Sequence, residues 1–457
     1  MNVNNRRLGI EQEFFLVDQT GALSQQADAF LQACREQAAA QGIPPQCYVP
    51  EFVKSLVEIN TVPAASLAEL TTQYLDVLDV AIAAAHSLQL RLYPLATYPL
   101  YIAPVQRDEL LYHLQTRALG QQTFEHAARC AGTHLHLELS PGVVDRRIGI
   151  AYDSTAGDRA EVVNLFNLAT ALDAALITLS RACPFYNGKL ARTATRTIHY
   201  RGSRYHGWEG VYTQHPILGA LLPYADGAAA VVEQIFHRYH TWLEAMDRAN
   251  VPRQRFEEAG GELLTAGWNP VRLNRQGTLE LRAMDSNFPE VTLALITLVV
   301  HAARRVRHEC LAVSPQAGLA QFKLQDSVLQ VPDFETLHQT LLYAAATEGI
   351  ESPLVRDYLD SVLAFAAGGA ASAAAGTSTE AAGGAIAQFR NSLGNYQTTE
   401  AQLFDQFNTA TGTLSQDEGL ELVRHCCDQL ESQVRLLRQQ RSPQVALSVS
   451  WQDVSSD

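Results

Sequence analysis

Four short segments of this chain set acids, imidazoles and an arginine at alternate positions among apolar residues. In GIEQEFFLV, Glu11, Glu13 and Phe15 fall on one side of an extended chain and Ile10, Phe14 and Leu16 on the other. EFVKSLVEINTVP holds Glu51 and Glu58, with Leu56, Glu58 and Asn60 opposed to Val57 and Ile59. GTHLHLELS opposes His134, His136 and Glu138 to Thr133, Leu135, Leu137 and Leu139, and GTLELRAMD opposes Glu280 and Arg282 to Leu279 and Leu281. Alternate side chains of a strand share a face at a spacing of about 7 Å, so each segment presents a polar row. Each alone also fits the solvated face of a sheet. Four rows in one sheet would make an acidic surface, and carboxylates crowded together need a cation between them. Oxygen ligands with one imidazole suit Mg²⁺ or Mn²⁺ better than zinc.

The counterpart is basic. KLARTATRTIHYRGSRYH, residues 189–206, carries Lys189, Arg192, Arg196, Arg201 and Arg204 with His199 and His206. It reads either as a solvated loop or as a clamp for phosphate and carboxylate, which the planar guanidinium grips in pairs. Acids that hold metal, facing arginines that hold phosphate, are the layout of phosphoryl transfer. The familiar nucleotide signatures are absent: PFYNGK lacks the first glycine of a phosphate-binding loop, and no G-x-G-x-x-G follows a strand.

These segments need a scaffold. Apolar periodicity predicts helices near 66–90, 158–182, 226–249, 290–312, 332–348 and 398–441, with capping boxes at Ser66–Glu69 and Ser415–Glu418. Strands are predicted near 8–17, 53–61, 90–96, 132–139 and 278–284. Their irregular alternation predicts an α+β fold with a largely antiparallel sheet rather than a doubly wound one. Residues 364–386, rich in alanine and glycine, read as a mobile insertion after a catalytic domain at 1–363. Residues 387–457 read as a helical part of the same domain with a frayed polar tail after Pro443.

The 457 residues carry a formal net charge of −14, which disfavours a general nucleic-acid binder. The reading predicts no membrane span and no signal peptide. Seven scattered cysteines without a CxxC predict reduced thiols and a cytoplasmic protein.

Taken together, GIEQEF, EFVKSLVEINTVP, AGTHLHLEL, RACPFYNGKLARTATR and LELRAMDSNFP resemble the glutamate–cysteine ligase family, in its bacterial branch of carboxylate–amine ligases related to the glutamine synthetase superfamily. The resemblance covers roughly residues 7–310, with ATYP at Ala96–Pro99 where the family often reads G-x-H-P. It implies a glutamine synthetase-like sheet cradling Mg²⁺ (or Mn²⁺) between ATP and substrate. Glu11, Glu13, Glu51, Glu58, His134 and Glu280 take the metal-side positions of the family pattern, and Arg282 lies beside the transferred phosphate. Arg192 and Arg196 join Arg282 as catalytic candidates, and Arg201 and Arg204 join it as nucleotide-binding candidates. The implied reaction joins the γ-carboxylate of glutamate to the amine of cysteine through an acyl phosphate, the first step of glutathione synthesis. The alternatives are a ligase for another amine, a metal-dependent amide hydrolase, or a metal-binding protein without activity.

Overall fold

The polar segments fall on neighbouring strands of one sheet. In the computed structural model, which describes residues 6–372, 396–407 and 411–440, the strands are β1 (Leu8–Asp18), β2 (Tyr48–Pro50), β3 (Leu56–Asn60), β4 (Leu90–Tyr93), β5 (Gly132–Glu138), β6 (Val271–Asn274) and β7 (Thr278–Asp285). They form a seven-stranded sheet in the order β6-β7-β5-β1-β3-β2, with β4 also on β1. Every pairing in it is antiparallel, as the sequence predicts. A separate three-stranded sheet (Ala312–Gln316, Lys323–Gln325 and Val328–Pro332) includes one parallel pair.

The helices include α1 (Ala27–Ala40), α2 (Leu67–Ser87), α3 (Ala156–Ser180), α4 (Ala228–Arg248), α5 (Pro289–His308), α6 (Pro353–Ser372), α7 (Thr399–Phe407) and α8 (Gln416–Gln440). α2 packs against β1, β3 and β4, and α3 against β6 and β7, so the apolar rows of the strands face helices and leave the polar rows on the other face. Of the two predicted capping boxes, Ser415 and Glu418 bond reciprocally, whereas at Ser66 only half forms: Ser66 Oγ accepts from the Glu69 amide, and the Glu69 carboxylate accepts from the Ala65 amide instead.

α3 is the central core helix. By length and composition it could cross a bilayer, which the sequence reading overlooked, yet nearly all of it is buried in the protein's own core. One of its acids, Asp173, lies in the apolar part of the helix and is fully buried.

The Ala/Gly-rich stretch begins as helix, not as the predicted loop. α6 runs through residues 364–372, with Phe365 and Ala366 buried against the core. Gly368 serves that packing: a β-carbon there would come within 2.6 Å of an Arg305 terminal nitrogen, whose guanidinium donates to the Phe365 carbonyl. Residues 373–395, with the rest of the predicted insertion, and the predicted tail lie outside the described residues. The long helix predicted at 398–441 is two helices, α7 and α8.

Candidate active site

Pairing register turns the four motifs into one diagonal row. Across adjacent strands Glu280 stands opposite His136, His134 opposite Glu11, and Glu13 opposite Glu58. Glu51, just beyond the end of β2, closes the row at the Glu58 end, since β2 pairs with β3 at Val49 and Glu58. Three overlapping sets result, Glu11–His136–Glu280, Glu11–Glu58–His134 and Glu13–Glu51–Glu58, each with ligand atoms within 4.8 Å of one another. All six predicted metal-side residues are brought together. His136 joins them, whereas Glu138, on the same strand face, is held at the rim by Arg7 at 2.6 Å.

The hydrogen bonding leaves this row short of positive charge at one end. His134 Nδ1 lies 3.2 Å from Glu11 Oε2, and the tautomer protonated there leaves Nε2 with its lone pair. That Nε2 is buried without a hydrogen-bond partner, 3.9 Å from Glu13 Oε1. Burial would raise the Glu11 carboxyl, but His136 and His134 outweigh it and hold it well below the usual carboxylate range. At Glu51 and Glu58 the opposing help, from the Phe52 amide and Arg282 in one case and Asn60 in the other, is outweighed. Burial, then the Glu13 charge, pushes Glu51 up to about 8. Burial and the charges of Glu11, Glu51 and Glu13 raise Glu58 well above the usual range. Such a set of half-buried, crowded acids fits divalent cations in both donor chemistry and charge.

The other end is richly cationic. Glu280 is fully buried and accepts from Arg272 at 2.7 and 3.1 Å, Asn274 at 2.7 Å, and Arg282 at 2.5 Å. Burial opposes its charge, but Arg272 and Arg282 hold its carboxyl far below the ordinary value. Arg282 thereby gains a fixed direction, with Nη1 3.2 Å from His134 Nδ1. Arg196 packs beside it and donates to the Arg282 carbonyl at 3.3 and 3.4 Å. Glycine at position 132 is what admits Arg196, because a β-carbon there would lie 2.1 Å from its Nη2. The same glycine's amide donates to Glu13 at 2.7 Å. Arg196 opens a π-helical turn, Thr197–Arg201, a local widening that often accompanies functional sites.

The remaining predicted arginines lie elsewhere. Arg201 is buried and held bidentately by Asp173 of α3 at 2.7 and 2.9 Å, so its fork is already occupied. Arg204 is exposed and bonds Gln214. Arg192 stacks on Phe404, 3.7 Å from the ring centroid, and lines a cavity of about 580 Å³ with Arg181 and Glu400. No member of the acid row lines that cavity. A second cavity, of about 390 Å³, opens onto Glu11 and His136 between Gly9, Asn60 and Thr278.

The thiols take no visible part. Among the described residues all seven cysteines are free, and burial pushes Cys130 up to about 12 and raises Cys183 well above the ordinary thiol value. Neither forms a thiolate near neutrality.

Acids at one end of a sheet face and arginines at the other suit phosphoryl-transfer chemistry of the kind an ATP-dependent ligase needs. The model of glutamate–cysteine ligase family 2 (GCS2) matches residues 7–393, and the chain belongs to that family. Two solved structures share the fold. One is a bifunctional glutathione synthetase from Pasteurella multocida, at 15% identity and TM-score 0.59, covering 94% of this chain and 53% of that one. The other is a glutamate–cysteine ligase from Francisella tularensis in complex with AMP, at 12% identity and TM-score 0.57, covering 97% and 94%. The chain thus spans about half the length of the bifunctional enzyme. Among curated proteins none matches the sequence.

Proposed function

We propose that the protein joins the γ-carboxylate of glutamate to the amino group of cysteine at the expense of ATP. The observation that carries this reading is the overlap of three acid-rich sets with Arg282 on one sheet face, in a chain of this family. The name of the matching family and that of the Francisella tularensis neighbour support glutamate and cysteine as the pair joined.

A carboxylate is a poor electrophile, so the reaction needs two displacements. One carboxylate oxygen attacks the terminal phosphorus of ATP, the bond from that phosphorus to its bridging oxygen breaks, and ADP leaves. The free amine then attacks the acyl carbon. The carbon–oxygen bond to phosphate breaks, inorganic phosphate departs with the oxygen the carboxylate supplied, and the nitrogen loses a proton. Glu11, Glu13, Glu51 and Glu58, with His134 Nε2, would hold Mg²⁺ or Mn²⁺, whose chemistry is to neutralise the phosphates during transfer. Arg282, fixed by Glu280, stabilises charge on the moving phosphoryl group, and Arg196 holds the Arg282 backbone in place. Glu280 serves as an anchor for arginines, since four hydrogen bonds already engage its oxygens. The buried face keeps water from the acyl phosphate. Arg192, Arg201 and Arg204 take no part in these steps.

Phosphate release measured across a panel of amines tests the reading. The expected result is release that requires ATP, glutamate and an amine together, fastest with cysteine. A faster amine would change the second substrate and keep the ligase. Amide cleavage without ATP would replace the ligase with the hydrolase alternative.

A further inference from the structure

Arg238 of α4 is a buried cation with no counter-ion. The residue is 4% exposed, forms no ion pair among the described residues, and makes one hydrogen bond, from Nη1 to Asn269 Oδ1 at 3.3 Å. Its Nε is buried without a partner, and so is Trp242 Nε1, one turn further along the same helix. Asn269 cannot turn to serve it better, because its own amide donates to the Ile217 and Ala220 carbonyls at 2.9 and 2.8 Å. The acid whose charge acts on it is Glu280, and the oxygens of Glu280 are already engaged by Arg272, Arg282 and Asn274.

An uncompensated charge is among the costliest things a folded interior can hold. Burial, then the neighbouring Arg272, pushes the Arg238 guanidinium down to about 9, which still leaves it charged at neutral pH. A residue needed only for packing would be better served by methionine or leucine. Its position is also specific. The side chain runs along Gly267, where an added β-carbon would lie 3.0 Å from Arg238 Cδ, and Arg272 donates to the Gly267 carbonyl at 2.7 Å. Arg238 and Arg272 thus meet at Gly267, and Arg272 in turn bonds Glu280, the anchor of Arg282.

We infer that Arg238, beside Arg272, forms an oxyanion site that is completed by a negatively charged group of a substrate. The inference rests on the ligase reading for the identity of that group, which is either the terminal phosphate of the nucleotide or a carboxylate of the amino acid. Both offer paired oxygens to a planar fork. The missing counter-ion is then brought in by the ligand.

The test uses the full chain as wild type, Arg238→Met and Arg238→Lys, with three probes: inorganic phosphate, a non-hydrolysable β,γ-imido analogue of ATP with Mg²⁺, and L-glutamate. Calorimetric titration and thermal melting are the readouts. Arg238→Met is expected to melt no lower than wild type without ligand, since it removes an unpaired buried charge. It should lose at least about tenfold in affinity for phosphate and for one of the two substrates, the scale of a charge-assisted hydrogen bond. Arg238→Lys, which keeps charge but not the fork, should recover part of the loss. A loss confined to the nucleotide analogue assigns the site to phosphate, and one confined to glutamate assigns it to a carboxylate. Three unchanged affinities, or a Met variant that melts well below wild type, would overturn the inference and leave the ligase reading intact. Phosphate binding that depends on Arg238, without binding of nucleotide or glutamate, would keep the anion site and remove the ligase. A wild type that binds none of the three overturns both.

Discussion

Glu58→Gln is expected to reduce turnover by more than about 100-fold while raising the melting temperature of the metal-free protein. The rate estimate follows from metal sites in general, where losing even a residue that supports a ligand costs about 10–100-fold. The stability gain follows from position. Glu58 lies opposite Glu13, and burial with three neighbouring acids raises its pKa well above 4.5. Glutamine keeps the shape, and its carbonyl oxygen can still accept from Asn60, which donates to Glu58 at 2.8 Å. The sign with pH is fixed by the direction of the shifts. A carboxyl whose folded-state pKa is raised lends stability fully below its ordinary value, and that stability is lost as pH rises toward the folded-state value. Glu51, pushed up to about 8, behaves alike. The metal-free wild type should therefore melt progressively lower from about pH 5 to pH 8. Mg²⁺ should restore the wild type, and Glu58→Gln should flatten the pH dependence and weaken the response to Mg²⁺. A mutant with near-normal rate at limiting Mg²⁺ would remove Glu58 from the site, and an unfolded mutant would make its role structural.

A sulfoximine analogue of glutamate should inhibit with a potency that deepens over minutes, and only when ATP and Mg²⁺ are both present. Its tetrahedral sulfur stands where the amine-attacked carbon becomes tetrahedral. Its nitrogen can attack the terminal phosphorus of ATP, releasing ADP and leaving a phosphorylated mimic in the site. Because the site complements the transition state, that mimic should be held at least about 100-fold more tightly than glutamate. An alkyl extension that copies the cysteine side chain should tighten inhibition further. Weakening by the extension, with the short analogue still active, would keep the ligase and exclude cysteine. Inhibition without nucleotide would contradict the acyl phosphate.

The acid row was legible in the sequence because strand alternation alone decides which side chains share a face. Glu11 with Glu13, His134 with His136, and Glu280 with Arg282 needed only their period. What alternation cannot supply is register, which sets His134 opposite Glu11 rather than Glu13 and makes His136 a member of the row. β6 was missed because VRLN is short and follows a proline. Its signal was the turn NRQG between two alternating stretches, which would have placed Arg272 and Asn274 beside Glu280. The basic run misled for a different reason. Arg196 and Arg201 look equivalent as charges, but a π-turn separates them, and one reaches the sheet while the other turns to α3. Asp173, a single acid inside LFNLATALDAALITL, was the available warning that a buried cation is needed there. Arg238 gave no signal at all, since an arginine on an amphipathic helix normally reaches water.

The acyl phosphate is the centre of the account, and isotope transfer tests it most directly. Glutamate labelled with ¹⁸O in its γ-carboxylate, incubated with ATP, Mg²⁺ and cysteine, should yield inorganic phosphate carrying one labelled oxygen for each peptide bond made. The oxygen that attacks phosphorus is the one that leaves with it, so the transfer is stoichiometric. Unlabelled phosphate from a reaction that still consumes glutamate and cysteine would show that the carboxylate is never phosphorylated, and the mechanism drawn from this site would be wrong.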